Sequence, residues 1–368
     1  MYDRINWSNR MLGIVGPRGV GKTTLMLQYI KENLNVGTTL YVTADDFYFS
    51  THHIVELADS FAKMGGKHLF IDEIHKHPEW SRELKLIYDY HPELHVVYSG
   101  SSVLDITKGT TADLSRRAIV YHLQGLSWRE YLQLFHDITL PVLTLDDVLN
   151  HRIELPPGFR PIAFFRDYLR NGYYPFSSDP DYDQRLLSII GKSLEVDIPQ
   201  YAEMNASMAR KLKLLLTIIS GSVPFKPNMT TIGQTLGVSR NNVADYLLYI
   251  EEAGLIAQLR DDTGGIRGLG KVNKVYLDNT NLVYALAGPQ ADIGNVRETF
   301  FLNQMRVEHD VTSSPLADFI IDGRTFEIGG RKKGHKQIEQ ATEGYVVKDD
   351  IEYGFASTIP LWAFGLTY

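Results

Sequence analysis

Apolar residues follow two different rhythms along this chain. In its first 135 residues, short unbroken runs (11–15, 39–43, 68–72 and 95–99) alternate with stretches long enough for a helix. Strands that are apolar on both faces and separated by helices predict a parallel sheet covered on both sides. From Met208 onward the spacing changes to three and four. Ile232 and Leu236 fit one short helix, Gly237 a turn, Ser239 a cap, and Val243, Tyr246, Leu247 and Ile250 the buried stripe of a second helix, which together predict a helix-turn-helix. A Gly-rich stretch, 263–270, sits where a wing would follow. Farther on, residues 298–305 fit a helix, and 317–321 and 324–328 fit two strands joined at Asp322-Gly323, a hairpin dipeptide. Between these regions, residues 136–205 are rich in proline and aromatics, with helical stretches broken near Gly158 and at 171–176.

Composition narrows the partners more than the fold. A chain of 368 residues exceeds one ordinary core, so two or three domains are expected. A formal charge of −7 excludes a surface coated in basic residues, so nucleic-acid contact would need a local patch. With no cysteine there are neither disulfides nor thiolate metal sites. The first residues lack a secretion pattern and no apolar run reaches membrane-spanning length, which predicts a soluble, cytoplasmic protein with no membrane partner.

The sharpest chemistry lies just behind the first apolar run. Gly16, Pro17, Arg18, Gly19, Val20, Gly21, Lys22, Thr23 and Thr24 read G-x-x-x-x-G-K-T-T between a strand and a helix-like segment, residues 25–32. Glycines there let backbone N–H groups curl around a phosphate, Lys22 reaches the outer phosphates, and Thr23 holds Mg2+. The run at 68–72 delivers two adjacent acids: Asp72 as a second magnesium holder and Glu73 as the base that polarises the attacking water. Ser99, at the end of the next run, is a candidate γ-phosphate sensor along with Ser101 and Ser102; the alternative is that these hydroxyls only cap a helix. Arg117, paired with Arg116 ahead of another apolar run, either aims a guanidinium at phosphate or belongs to a solvated turn. No Asn-Lys-x-Asp stretch reads guanine, so ATP is the expected nucleotide.

The order of these motifs, closing with Leu-Ser-Trp-Arg-Glu-Tyr-Leu at 126–132, resembles the AAA+ superfamily, and within it prokaryotic ATPases that carry a winged helix and a C-terminal nuclease-like domain. The resemblance implies an α/β fold: a P-loop NTPase parallel sheet with a strand added between the two Walker strands, a helical lid, a winged helix-turn-helix and a C-terminal restriction-endonuclease-like domain. The expected bounds are 1–135, 136–207, 208–277 and 278–368. It further implies Glu73 as catalytic base, a sensor near Ser99 and Arg117 as arginine finger, within one subunit or across an oligomer interface. In the winged helix, Arg240, Asn241 and Asn242 would reach base edges and Arg260, Arg267, Lys271 and Lys274 phosphates, making double-stranded DNA a candidate partner; such modules also bind proteins. Glu298, Asp318 and Glu327 stand where a PD-(D/E)xK nuclease keeps its metal-binding acids. Gly329 replaces the expected lysine, with Lys332 and Lys333 nearby, so a retained fold without nuclease activity is expected. The leading reading is a magnesium-dependent ATPase that drives or times movement of its attached domains. The alternatives are a nucleotide-sensing DNA-binding regulator and a metal-dependent nuclease.

Overall fold

Each of the four apolar runs of the N-terminal region is a strand, and a fifth strand joins them: β1 (Met11–Val15), β2 (Thr39–Thr43), β3 (His68–Asp72), β4 (His95–Gly100) and β5 (Ile119–His122). The computed structural model describes residues 2–100, 114–202, 204–221, 224–262 and 271–368. Ser101, Ser102 and the Gly-rich stretch with Arg267 lie outside the described residues. The sheet is parallel throughout, in the order β2-β3-β4-β1-β5. Parallel strands need crossover helices, and among the described residues three fill that role: α1 (Lys22–Asn33), α2 (Ile54–Lys63) and α3 (Trp80–Tyr90). Met11, Leu69, Ile71 and Val96 from the strands pack with Ile54, Leu84 and Ile87 from the helices in one core. Full burial of such a side chain contributes about 1.5–3 kcal/mol. This is the α/β fold of a P-loop NTPase.

The strand order matters for the site. Since β4 lies between β1 and β3, the end of β4 falls between the loop that leaves β1 and the acids that end β3. Register fixes this, with Ile14 opposite Ser99 and Ile71 opposite Tyr98.

The chain divides into two compact units. The first comprises Met1–Gly125 with Val196–Met204, and the second Leu126–Glu195 with Asn205–Tyr368. Within the second unit come α4 (Trp128–His136), α5 (Leu145–Leu149), α6 (Pro161–Asp167) and α7 (Tyr182–Lys192), followed by α8 (Ala206–Ser220), α9 (Met229–Leu236) and α10 (Arg240–Glu252). A hairpin of β6 (Ile256–Arg260) and β7 (Val272–Leu277) follows, then α11 (Thr280–Ala287) and α12 (Ile293–Met305). Gly237 adopts φ 63 at the turn between α9 and α10, a left-handed conformation that costs glycine little. Ser239 caps α10 by accepting from the Asn242 N–H at 3.2 Å, and Val243, Tyr246, Leu247 and Ile250 are buried. Phe225 exchanges two backbone hydrogen bonds with Val275, adding a third short segment beside β7.

A second five-stranded sheet closes this unit, in the order β12-β11-β10-β9-β8: β8 (Val311–Ser313), β9 (Phe319–Ile321), β10 (Arg324–Gly329), β11 (Gly344–Lys348) and β12 (Thr358–Pro360). Here β8, β9 and β10 are antiparallel, whereas β10, β11 and β12 are parallel. Asp322 and Gly323 both take positive φ, 51 and 78, as the Asp-Gly dipeptide predicts for a tight hairpin. A buried polar network braces the helices. The π-helical turn Tyr168–Gly172 leaves carbonyls open, and Asn281 on α11 donates to those of Tyr168 and Leu169 while accepting from the Tyr173 N–H and the Tyr182 hydroxyl. A buried amide with its hydrogen bonds made fixes one packing arrangement.

Candidate active site

The loop between β1 and α1 is shaped by close approach and by left-handed turns. A side chain at Gly16 would place its Cβ 2.1 Å from the Leu123 carbonyl oxygen, so only glycine fits. Gly19 and Gly21 take φ 87 and 98. Gly21 opens α1 with no side-chain cap, which leaves the first-turn N–H groups available to an anion. Lys22 folds back over the loop: its ammonium donates to the carbonyls of Gly16 and Pro17, both at 2.8 Å. Two carbonyl contacts leave one of its three protons for a ligand. Burial lowers the Lys22 pKa to about 8, against the opposing charges of Glu73 and Asp72. An unpaired ammonium held in a buried cradle is strongly favourable to an incoming polyanion.

Asp72 lies under that cradle and is surrounded by neutral donors. The Thr23 hydroxyl donates to it at 2.5 Å, the Tyr41 hydroxyl at 2.8 Å, and the Ser99 hydroxyl also donates to it. Burial and the Asp72 hydrogen bond push the Tyr41 pKa well up, so Tyr41 stays a donor. Thr23 and Asp72 thus offer adjacent hard oxygen atoms, the donor set that suits Mg2+. Ser99 spends its proton on Asp72 and also accepts from the Glu73 N–H at 3.4 Å, so it organises the acids from β4. Glu73 holds a left-handed backbone, φ 49, which is uncommon away from glycine and swings its side chain off the strand axis. Its carboxylate faces the His75 imidazole at 3.5 Å. Burial lowers the His75 pKa to about 3, so that ring is neutral near pH 7.

Behind these acids, Glu83 accepts from His53, His77 and the Val55 N–H. Burial alone would raise its pKa, but hydrogen bonds from His77, His53 and Val55 hold it below the ordinary value. The arrangement ties α2 and α3 to the turn that carries Glu73. The structure also commits two arginines of the first unit. Arg18 forks onto Asp197, with Nε to Oδ2 at 3.0 Å and Nη2 to Oδ1 at 2.9 Å, so a loop residue is bound to the returning segment Val196–Met204. Arg117 forks onto Asp89 at 2.9 and 3.0 Å, whereas its exposed neighbour Arg116 makes no such pair among the described residues.

Comparison with protein-family models matches residues 8–132 to the family described as an AAA domain. Residues 8–132 are an AAA domain. The match covers the phosphate loop, Asp72, Glu73, Ser99 and Arg117. Residues 162–292 match a second family, described as a domain of unknown function. An uncharacterized protein of Methanocaldococcus jannaschii is 21% identical over 277 residues, which are 69% of this chain and 57% of that protein. The chain therefore spans little more than half the length of this relative. Among solved structures, a Walker-type ATPase of Pyrococcus abyssi is similar at 11% identity and TM-score 0.45, over 76% of this chain and 91% of that one. Katanin is similar at 21% identity and TM-score 0.28, over 38% of this chain and 50% of that one.

Beyond the AAA domain, two of the cations expected to meet DNA, Arg260 and Lys274, form ion pairs. Arg260 pairs with Glu251 at 3.3 Å, and Lys274 pairs with Glu298 and Asp318, both at 3.3 Å. Lys271 and Arg240 line an open hollow of about 400 Å³ with Asn228 and Thr230. No helix among the described residues is long and apolar enough to cross a membrane. Tyr41, Asp197 and Glu83 escaped the sequence reading. Only the tyrosine carried a local signal: it lies on the strand next to the one that ends in Asp72.

Proposed function

We propose that the AAA domain hydrolyses ATP with magnesium and that turnover drives or times a conformational change of the second unit. The observation that carries this reading is the convergence of Lys22, Thr23, Asp72 and Glu73 at the ends of β1 and β3. In it, the loop N–H groups and the Lys22 ammonium hold the β- and γ-phosphates. Thr23 and Asp72 hold the metal, with Ser99 and Tyr41 keeping the Asp72 carboxylate in place. When bound, magnesium neutralises charge on the phosphate oxygens. Glu73 orients water toward the γ-phosphorus and takes its proton. Arg117 serves as arginine finger, within one subunit or for a neighbouring copy. In the second unit, α8 to α10 with the β6–β7 hairpin are read as a winged helix, and the sheet β8–β12 as a nuclease-like fold. The test is ATP turnover in Glu73→Gln: a fall of about 100-fold with nucleotide binding retained is expected. Unchanged turnover would remove Glu73 from the role of base.

A further inference from the structure

Two imidazoles of the first unit aim at one carboxylate oxygen. His53 stands at the N-cap of α2, Glu83 lies on α3, and His77 closes the turn 74–76 that follows Glu73. The His53 Nδ1 lies 2.6 Å, and the His77 Nε2 2.9 Å, from Oε1 of Glu83. All three atoms lie within 4.8 Å of one another, the one place among the described residues where three His, Asp or Glu side chains bring ligand atoms so close together.

Three observations separate this group from an ordinary hydrogen-bonded brace. The carboxylate is preset, because its Oε2 accepts from the Val55 N–H at 3.1 Å while Oε1 meets the two rings. One wall is open: Glu83 and His77 are buried, but His53 is exposed, which gives an ion a path in and a solvent molecule for its fourth position. The third concerns the proton on His77. Its Nδ1 is buried with no hydrogen-bond partner, so no neighbour holds the ring in one tautomer. The facing Nε2 can therefore present a lone pair as readily as an N–H.

We propose that His53, His77 and Glu83 form a metal site of the zinc type, whose ion joins α2, α3 and the turn behind Glu73 by coordinate bonds. Two imidazoles and a carboxylate are a donor set that suits zinc, whereas magnesium takes oxygen ligands. Tetrahedral bonds of about 2.0–2.2 Å set neighbouring ligand atoms about 3.3 Å apart, so each nitrogen has to retreat from Oε1 by less than about 1 Å. Each ring then carries its proton on the nitrogen turned away from the ion. The Thr23 and Asp72 oxygens at the phosphate loop form a different, harder donor set.

The test is titration of the nucleotide-free full chain with cobalt(II), a coloured substitute for zinc whose visible absorption distinguishes tetrahedral from octahedral surroundings. Wild type should take up a single cobalt with the tetrahedral spectrum. Zinc should displace it, and excess magnesium should not. Glu83→Gln should weaken uptake about tenfold or more, and so should His53→Asn. Asparagine is a favoured N-cap and position 53 is exposed, so His53→Asn decides the matter if Glu83→Gln does not fold. Zinc should also raise the thermal unfolding midpoint of wild type but not of His53→Asn. No nucleotide enters these measurements, so their outcome is independent of the ATPase reading. Equal uptake by wild type and His53→Asn, an octahedral spectrum, or displacement by magnesium would overturn the proposal.

Discussion

Two groups of lysines and carboxylates in this protein are built on opposite plans. At the phosphate loop the ammonium of Lys22 is held by carbonyl oxygens and Asp72 by hydroxyls, so neither charge is consumed by the other. In the second unit Lys274 and Lys333 sit directly on Glu298, Asp318 and Glu327. The first plan keeps a buried cation ready for a polyanion, and its cost is visible in the depressed Lys22 pKa. The second neutralises itself, which lets three acids cluster. Counting charged residues would not tell the two apart; what matters is whether their partners are neutral dipoles or opposite charges.

The contrast can be broken most forcefully at Lys22. Replacing it with alanine should lower ATP affinity about 100-fold or more, measured with a fluorescent nucleotide, because the lost group is a buried charge with a proton left for the ligand. The two plans should next separate in folding stability. Asp318→Asn leaves a half-buried ammonium with one acid fewer and should cost about 1–3 kcal/mol in urea unfolding, whereas Thr23→Val, which removes a single hydroxyl from Asp72, should cost about 1 kcal/mol. Equal costs would erase the distinction.

A finer effect follows from pH. Free protein loses the Lys22 proton above about pH 8, while bound phosphate favours the charged form. ATP affinity should therefore be level from pH 7 to 7.5 and fall above pH 8, by up to about tenfold per unit, in calorimetric titrations. A flat profile to pH 10 would show that the buried cradle does not depress this lysine. The smallest expected change is in Tyr41→Phe, which removes one of several donors to Asp72 and should raise the magnesium concentration needed for half-maximal turnover only a few-fold.

How much of this was legible beforehand depends on how far apart the interacting residues lie. The loop at 16–24 and the acids at 72–73 are local patterns, and the alternation of apolar runs was enough to give the parallel sheet, with β4 between the Walker strands as the family resemblance implied. The Asp322-Gly323 turn was equally local. Other features depend on distance or on empty space. Arg18 and Asp197 are 179 residues apart, and nothing near either one names the other. Lys333 reaches Glu327 because Gly329 has no side chain, a fact about volume that no alternation of polar and apolar residues encodes. Arg117 was legible as either a finger or part of a solvated turn, but its fork onto Asp89 of α3, 28 positions away, was not written near it.

The Arg18 fork has one further consequence. Arg18 stands in the middle of the loop, between Pro17 and Gly19, and Asp197 belongs to a short excursion whose flanking residues, Glu195 and Asn205, are counted with the other unit. A planar guanidinium fork suits carboxylate and phosphate alike, so an arriving triphosphate and Asp197 contend for one hand. Occupancy of the nucleotide cradle would then be felt as slack in the strap at 196–204, the place where hydrogen exchange should register it first.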